Sequence, residues 1–367
     1  MMSWIFGLLA LAVGIANIAW KRALPLPLPF LLRPWVAAVL SVFAGVCWIG
    51  KSGGYSVDPS QVAHISAGSK QQIAVLALAL AGLALACVAF ASPSSAAQRR
   101  PKKMDFRGRW VLVTGASAGL GREFARQLAR DHGANLILLA RRKERLDELQ
   151  AELEPCGVQV RSLVADLSKP ADVEQVLGEI LAGPPVYGVV LNAAVTYFGP
   201  QEKLDPRTFQ TLLDTNVASV VRFASVLVPD ILNRAASGGV LFVSSVAGLQ
   251  PAPYQSVYSG SKAFMNHFAF GLWHELRGQD ISVTTFAPGG IDTEMTALES
   301  FQPLAAWLMP AATAARLGLR AFQRRDYLYV PGFVNQLGAL LTRILPRRFV
   351  TALIARAYRR ALEATTH

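Results

Sequence analysis

Three long apolar runs open the chain, at residues 2–20, 34–50 and 73–91, and none contains a charged side chain. Each is close to the length that crosses the hydrocarbon core of a bilayer, so the pattern predicts a membrane anchor of three transmembrane helices over residues 1–91. Beyond about residue 110 the pattern changes character. Short runs rich in Val, Leu and Ile recur at residues 110–114, 135–140, 158–165, 186–191, 240–244, 281–287 and 327–330. Segments of helical length separate them, and this alternation predicts an α/β domain on a parallel, doubly wound sheet over residues 110–330. The last stretch, residues 331–367, repeats apolar side chains at helical spacing: Phe333, Leu337, Leu340, Leu341 and Ile344 before Pro346, then Phe349, Val350, Leu353, Ile354 and Ala357. Six arginines lie among them, which predicts two basic amphipathic helices. They suit either a membrane interface or packing on the domain with a charged outer face.

Composition sharpens the first of these readings. With 52% apolar residues and a mean hydropathy of +0.34, the chain is too hydrophobic for an ordinary soluble protein, and the three runs account for the excess. Nothing basic precedes residues 2–20, which argues against a cleaved signal peptide. Lys21, Arg22 and Arg33 follow the first run, only Lys51 and Lys70 the second, and Arg99, Arg100, Lys102, Lys103, Arg107 and Arg109 the third. This bias predicts an integral membrane protein with an external N-terminus, a basic juxtamembrane linker at residues 92–109 and everything beyond it in the cytoplasm. The net charge of +12 invites a nucleic-acid partner, yet its densest stretch adjoins a predicted span and suits anionic membrane lipids instead. Cys47 and Cys87 fall in apolar runs and Cys156 stands alone, so reduced thiols, no disulfide and no metal site are expected.

The chemistry concentrates in the α/β region. Its first strand runs into Thr114-Gly115-Ala116-Ser117-Ala118-Gly119-Leu120-Gly121, followed by Phe124, Ala125, Leu128 and Ala129 on one helical face. Glycines there permit a tight turn and the close approach of a pyrophosphate, while the helix N-terminus offers free N–H groups and partial positive charge. A glycine cluster alone could be merely a turn, but its strand-loop-helix context favours a dinucleotide site, and the expected fold class becomes a Rossmann-type doubly wound sheet behind an N-terminal transmembrane region. At the end of the second strand, where an acid would hold the ribose of NAD, stand Ala140, Arg141 and Arg142. An arginine there suits a 2′-phosphate, so NADPH/NADP is favoured over NAD. The same arginines equally open a solvated charged helix. Further on, Tyr258 and Lys262 lie one helical turn apart on one face, close enough for the ammonium to bring the phenol below its usual pKa of about 10. Such a pair can donate and accept a proton near neutrality, although the spacing alone arises by chance in many helices.

These pieces occur together and in order, and over residues 107–330 the sequence resembles the short-chain dehydrogenase/reductase family. The family's glycine motif is met by Gly115, Gly119 and Gly121, its adenine-contacting acid by Asp166, and its active-site pair by Tyr258 and Lys262. Its serine falls on Ser245, its catalytic asparagine on Asn216, and its nicotinamide-side motif on Pro288-Gly289-Gly290-Ile291-Asp292-Thr293. One element departs: Asn-Asn-Ala-Gly reads Leu191-Asn192-Ala193-Ala194, which puts the geometry of that loop in doubt. The resemblance implies catalytic roles for Asn216, Ser245, Tyr258 and Lys262. It implies cofactor contacts from Gly115, Ser117, Gly119, Leu120, Gly121, Arg141, Arg142, Asp166, Asn192, Ala193, Tyr258, Lys262, Pro288, Gly289, Ile291 and Thr293. In overall pattern the chain is similar to related bacterial members and to microsomal 17β-hydroxysteroid and 3-ketoacyl reductases, the latter membrane-bound and acting on lipids.

The mechanism so implied passes hydride between the nicotinamide and a carbonyl carbon, with Tyr258 as general acid and base. Ser245 would hold the carbonyl oxygen, Lys262 would lower the tyrosine pKa and hold the ribose, and Asn216 would order a water leading from Lys262 to solvent. Ser244 remains the alternative to Ser245, because adjacent strand residues point oppositely. Tyr254 reads as pocket lining. Residues 292–312, with Met295, Leu298, Phe301, Leu304, Trp307, Leu308 and Met309, fall where the family's variable substrate lid lies. So apolar a lid implies a hydrophobic small-molecule substrate, unless the segment is a core helix or a dimer contact. The resemblance also implies a homodimer through helices near residues 208–232 and 258–277. The expected function is reduction of a keto or aldehyde group on a lipid-like molecule, or the reverse oxidation. A reductase of soluble carbonyls merely tethered to the membrane and a non-catalytic NADPH-binding sensor or scaffold stay open.

Overall fold

In the computed structural model the described residues are 102–296 and 308–363. The three predicted spans, the start of the basic linker and the centre of the apolar lid, residues 297–307, lie outside them. The chain divides into two units after Arg99, and the structure below belongs to the second.

One parallel sheet carries β1 (Trp110–Thr114), β2 (Asn135–Ala140), β3 (Val160–Val164), β4 (Val186–Leu191), β5 (Gly238–Val243), β6 (Ile281–Phe286) and β9 (Leu328–Tyr329). Their order is β3-β2-β1-β4-β5-β6-β9, and two short strands, β7 (Ile291–Asp292) and β8 (Met309–Pro310), pair separately. The connections are α1 (Gly119–Arg130), α2 (Lys143–Leu153), α3 (Pro170–Leu181), α4 (Pro206–Ala235), α5 (Ser256–Glu275) and α6 (Ala311–Arg324), followed by α7 (Phe333–Ile344) and α8 (Arg347–Glu363).

The strands read as unbroken apolar runs because helices cover both faces of the sheet. Side chains alternate between the two layers. Val111, Val113, Leu136 and Leu138 pack with Phe124, Leu128, Leu149 and Phe322 on one side. Leu112, Ile137, Leu139, Val240 and Phe242 pack with Val176, Leu177, Phe223, Leu227 and Met265 on the other. This is the doubly wound fold expected from the sequence.

Three features of the fold have physical reasons. The α/β domain begins before residue 110, since Met104 and Phe106 of the expected linker are core residues, with Phe106 against Tyr187, His132 and Phe322. Two apolar side chains in a basic stretch are too short a pattern to register as an element. Among the described residues α4 is long and apolar enough to cross a membrane, yet half of its apolar window is buried. Leu212, Val220, Phe223 and Leu227 belong to the core, so its hydrophobicity is that of a sheet-covering helix. The pair α7 and α8 breaks at Pro346 as expected, and it leaves much of its apolar face in solvent: Phe333 is 78% exposed, and Leu337, Leu341, Ile344, Phe349 and Leu353 are exposed too.

Candidate active site

Strand order reverses between β1 and β4, so the loops leaving their C-terminal ends diverge and open a crevice. Thr114 ties the two strand ends together: its hydroxyl donates to the Val190 carbonyl and accepts from the backbone N–H groups of Asn192 (3.0 Å) and Ala193 (3.1 Å). Asn192 Nδ2 donates to the Thr114 carbonyl at 3.1 Å. Gly115, at φ +70°, turns the chain in the left-handed region, and a methyl group on Gly121 would lie 2.6 Å from Asn192 Nδ2 and nearer still to the Gly115 carbonyl. The departing loop residues fit this arrangement, because Leu191 is buried in the core and Ala194 is not among the left-handed residues that would demand glycine. Ala118 begins α1 without a side-chain cap, so the first N–H groups of that helix are left for an anion.

Beside this turn Arg142 donates from Nε and Nη2 to Ser117 Oγ at 3.3 and 3.1 Å, and from Nη1 to Glu294 at 2.9 Å. Arg145 grips the other oxygen of Glu294. The two guanidiniums, Arg145 foremost, hold the Glu294 carboxyl below the usual carboxylate range. Across the crevice Asp166 also stays below its usual value: partial burial opposes its charge, and hydrogen bonds from the Ser168 backbone and hydroxyl, with Arg141 nearby, outweigh burial. A glycine turn that no side chain can enter, an uncapped helix start and an arginine–serine corner together fit a dinucleotide carrying a 2′-phosphate.

The catalytic candidates stand on β5, α4 and α5. Ser245 follows the end of β5, caps the next turn by accepting from Ala247 N–H at 3.1 Å, and lies close enough to Tyr258 for its hydroxyl to favour the ionised phenol. Ser244 instead sends its hydroxyl toward the Lys262 carbonyl at 3.4 Å. Ser245 is thus the residue at the tyrosine. Lys262, 1% exposed, donates from Nζ to the Val243 carbonyl at 2.8 Å and lies 5.8 Å from the centre of the Tyr258 ring. Burial lowers its pKa to about 7. Burial likewise pushes the Tyr258 phenol up to about 12, against the Ser245 hydrogen bond. The protein's own side chains therefore do not lower the phenol as the sequence led us to expect. The lysine is turned toward Val243, and burial has removed much of the positive charge it would supply.

Asn216 is fully buried in a π-helical turn, Asp214–Ala218, a kind of irregularity frequent at functional sites. Its amide accepts from Val195 N–H and donates to the Val195 carbonyl, both at 2.9 Å, and also donates to Ser261 Oγ at 3.2 Å. Its side chain pins the loop after β4 to α5.

All the nominated residues line a single cavity of about 910 Å³ except Gly121 and Asn216, which stand behind its wall. Met295, Leu308 and Met309 of the apolar segment line it as well. Tyr254 does not; its hydroxyl accepts from Arg359 Nε at 3.0 Å. Sequence reasoning missed Glu294, Arg145, Val334, Asn335 and Tyr358. The last three come from α7 and α8, whose docking no local pattern encodes.

A parallel sheet in this order, with a phosphate turn at the reversal and a Ser-Tyr-Lys cluster beside it, defines a dinucleotide-dependent oxidoreductase. The short chain dehydrogenase family profile matches residues 109–302, and the chain belongs to that family. It is 32% identical over 194 residues to the very-long-chain 3-oxoacyl-CoA reductase of Anas platyrhynchos, covering 52% of this chain and 62% of that protein, less than two thirds of its length. It is 36% identical over 188 residues to sulfoacetaldehyde reductase 2 of Chromohalobacter salexigens, covering 51% of this chain and 74% of that one. Among solved structures it resembles a short-chain dehydrogenase from Sphingobium yanoikuyae in complex with NADPH, with a TM-score of 0.59 at 29% identity over 64% of this chain and 93% of the other.

Proposed function

We propose that this protein reduces a keto or aldehyde group on a hydrophobic, lipid-like molecule with NADPH, at the cytoplasmic face of a membrane. One observation carries the reading: Ser245 and Tyr258 meet in the same cavity as the uncapped start of α1 and the Ser117–Arg142 corner. Ser117, Arg142 and Arg141 would hold the 2′-phosphate, the glycine turn and α1 the pyrophosphate, Asp166 the adenine, and Pro288, Gly289, Ile291 and Thr293 the nicotinamide side. The bound cofactor supplies the hydride. Tyr258, protonated at neutral pH because burial keeps its pKa high, donates its proton to the carbonyl oxygen while Ser245 shares that oxygen. Lys262 has spent one of its donors on Val243 and offers the rest to the ribose hydroxyls.

The lipid-like substrate is supported by the apolar wall of Met295, Leu308, Met309 and Val334, and by the activity that the name of the Anas platyrhynchos relative carries. The membrane setting is supported by the three N-terminal apolar runs and by the exposed apolar face of α7 and α8 beside Arg347, Arg348, Arg356 and Arg360. Exposed Phe209, Phe264 and Phe270 on α4 and α5 are consistent with a homodimer through those helices.

The test is NADPH oxidation by the full chain in detergent against 3-keto lipids, ketosteroids and aldehydes of graded length. Turnover should rise with chain length, and kcat/KM for NADPH should exceed that for NADH. In Arg142→Ala the NADPH value should fall by about tenfold to a hundredfold, the worth of charge-assisted hydrogen bonds to a phosphate, with the NADH value unchanged. Indifference to chain length would favour a soluble carbonyl substrate, and equal losses for both cofactors would overturn the 2′-phosphate role of Arg142.

A further inference from the structure

A second phenol shares the catalytic cavity, and the mechanism above does not use it. Tyr358 is carried by α8, well past residue 302 where the family match ends. Its ring meets Phe198 edge-on, with centroids 5.2 Å apart at 81°. The next residue, Arg359, is hydrogen-bonded to the Tyr254 hydroxyl, and Tyr254 is held at φ +64° four positions before Tyr258. These two contacts fix α8 against the loop after β4 and the loop before α5, which are themselves joined by the Gly199 N–H donating to the Tyr254 carbonyl at 2.8 Å. They hold Tyr358 at the cavity wall.

Among the described residues the Tyr358 hydroxyl has no hydrogen-bond partner. Neighbouring polar groups on that wall are engaged: Gln255 Nε2 donates to Thr196 Oγ1, Asn335 Nδ2 to the Pro331 carbonyl, and Thr296 Oγ1 to the Ile291 carbonyl. Met295, Leu308, Met309 and Val334 give the same cavity apolar lining. A half-buried hydroxyl in such a place gains most from an acceptor that arrives with the ligand. Tyr358 is also close enough for its ionisation to be felt at Tyr258, so the acceptor would sit near the reacting carbonyl.

We propose that Tyr358 is a specificity-determining residue that donates a hydrogen bond to a second substrate oxygen, a few atoms from the carbonyl being reduced, as in a 3-oxoacyl thioester or ester. This rests on the reductase reading above. A plain ketone of the same length would fill the cavity without satisfying the phenol, and would be the poorer substrate.

Tyr358→Phe keeps the ring and its contact with Phe198 and removes only the hydroxyl. The probes are a 3-oxoacyl N-acetylcysteamine thioester and a methyl ketone of matched chain length, with NADPH. In the variant KM for the thioester should rise about tenfold with kcat little changed, the worth of one hydrogen bond, while both constants for the ketone stay as they were. Equal changes for both substrates, or none for either, would overturn the proposal. Binding of the same probes to the NADPH-loaded protein, followed by quenching of cofactor fluorescence, gives an answer that needs no chemistry. Absent turnover in the wild-type protein would count against the reductase reading, whereas selective weakening of thioester binding by Tyr358→Phe would still uphold the residue's role, and its absence would sink it.

Discussion

Replacing Lys262 with Met is expected to abolish turnover and, at the same time, to raise the melting temperature by roughly 5 °C or more near pH 6. Among the described residues the buried lysine has no acidic partner, and burial alone takes its pKa from 10.5 to about 7. Between those two values the unfolded chain holds a proton that the folded chain has released, so stability climbs as pH rises through this window. Below about pH 7 the full penalty of charging a buried amine is present, on the order of a few kcal/mol. Methionine fills the same space without that penalty, and loses only the hydrogen bond to Val243, about 1 kcal/mol. The gain should therefore shrink toward zero by pH 10, which thermal unfolding of both proteins across pH 6 to 10 would show. A variant that is less stable at every pH would mean that Lys262 is held by attractions the structure does not reveal.

Tyr258→Phe should lower kcat by about a hundredfold to ten-thousandfold, the usual worth of a positioned general acid, and leave NADPH binding within about twofold of wild type. The phenol donates the proton but is one of many groups along the cofactor cleft, and the phenyl ring preserves the packing. Its pH dependence is equally specific. With the phenol pushed up to about 12, the acid form persists throughout the neutral range, so the reduction rate should show no descending limb from Tyr258 there. Alcohol oxidation requires the phenolate and should climb with pH. A descending limb near neutrality, absent from residual activity of the variant, would show that the bound cofactor lowers the phenol as the protein's side chains do not.

Much of the fold was legible because strands buried on both faces announce themselves as unbroken apolar runs. The runs at 110–114, 135–140 and 186–191 coincide with β1, β2 and β4 residue for residue. The site was legible where its parts are local in sequence: the glycine turn, the Tyr258–Lys262 pair and the motif from Pro288 to Thr293 each lie within one loop or one helical turn. Contacts between distant segments were not. Nothing near Arg142 signals Glu294, and nothing near Tyr258 signals Tyr358, since both pairings depend on how far-off loops and helices dock. Burial was invisible as well. A lysine four residues after a tyrosine looks like a full cation able to lower a phenol, and only its enclosure and its turn toward Val243 show that burial weakens that charge.

Hydride transfer from the nicotinamide to a lipid carbonyl is tested most directly by incubating the purified full chain with NADPH deuterated at the transferable C4 position and a long-chain 3-keto ester, then weighing the product by mass spectrometry. One deuterium at the new carbinol carbon is expected, with that product forming about a hundredfold or more slowly when Tyr258→Phe is used. A product that forms without the label, or NADPH bound with no product from any lipid carbonyl, would contradict it.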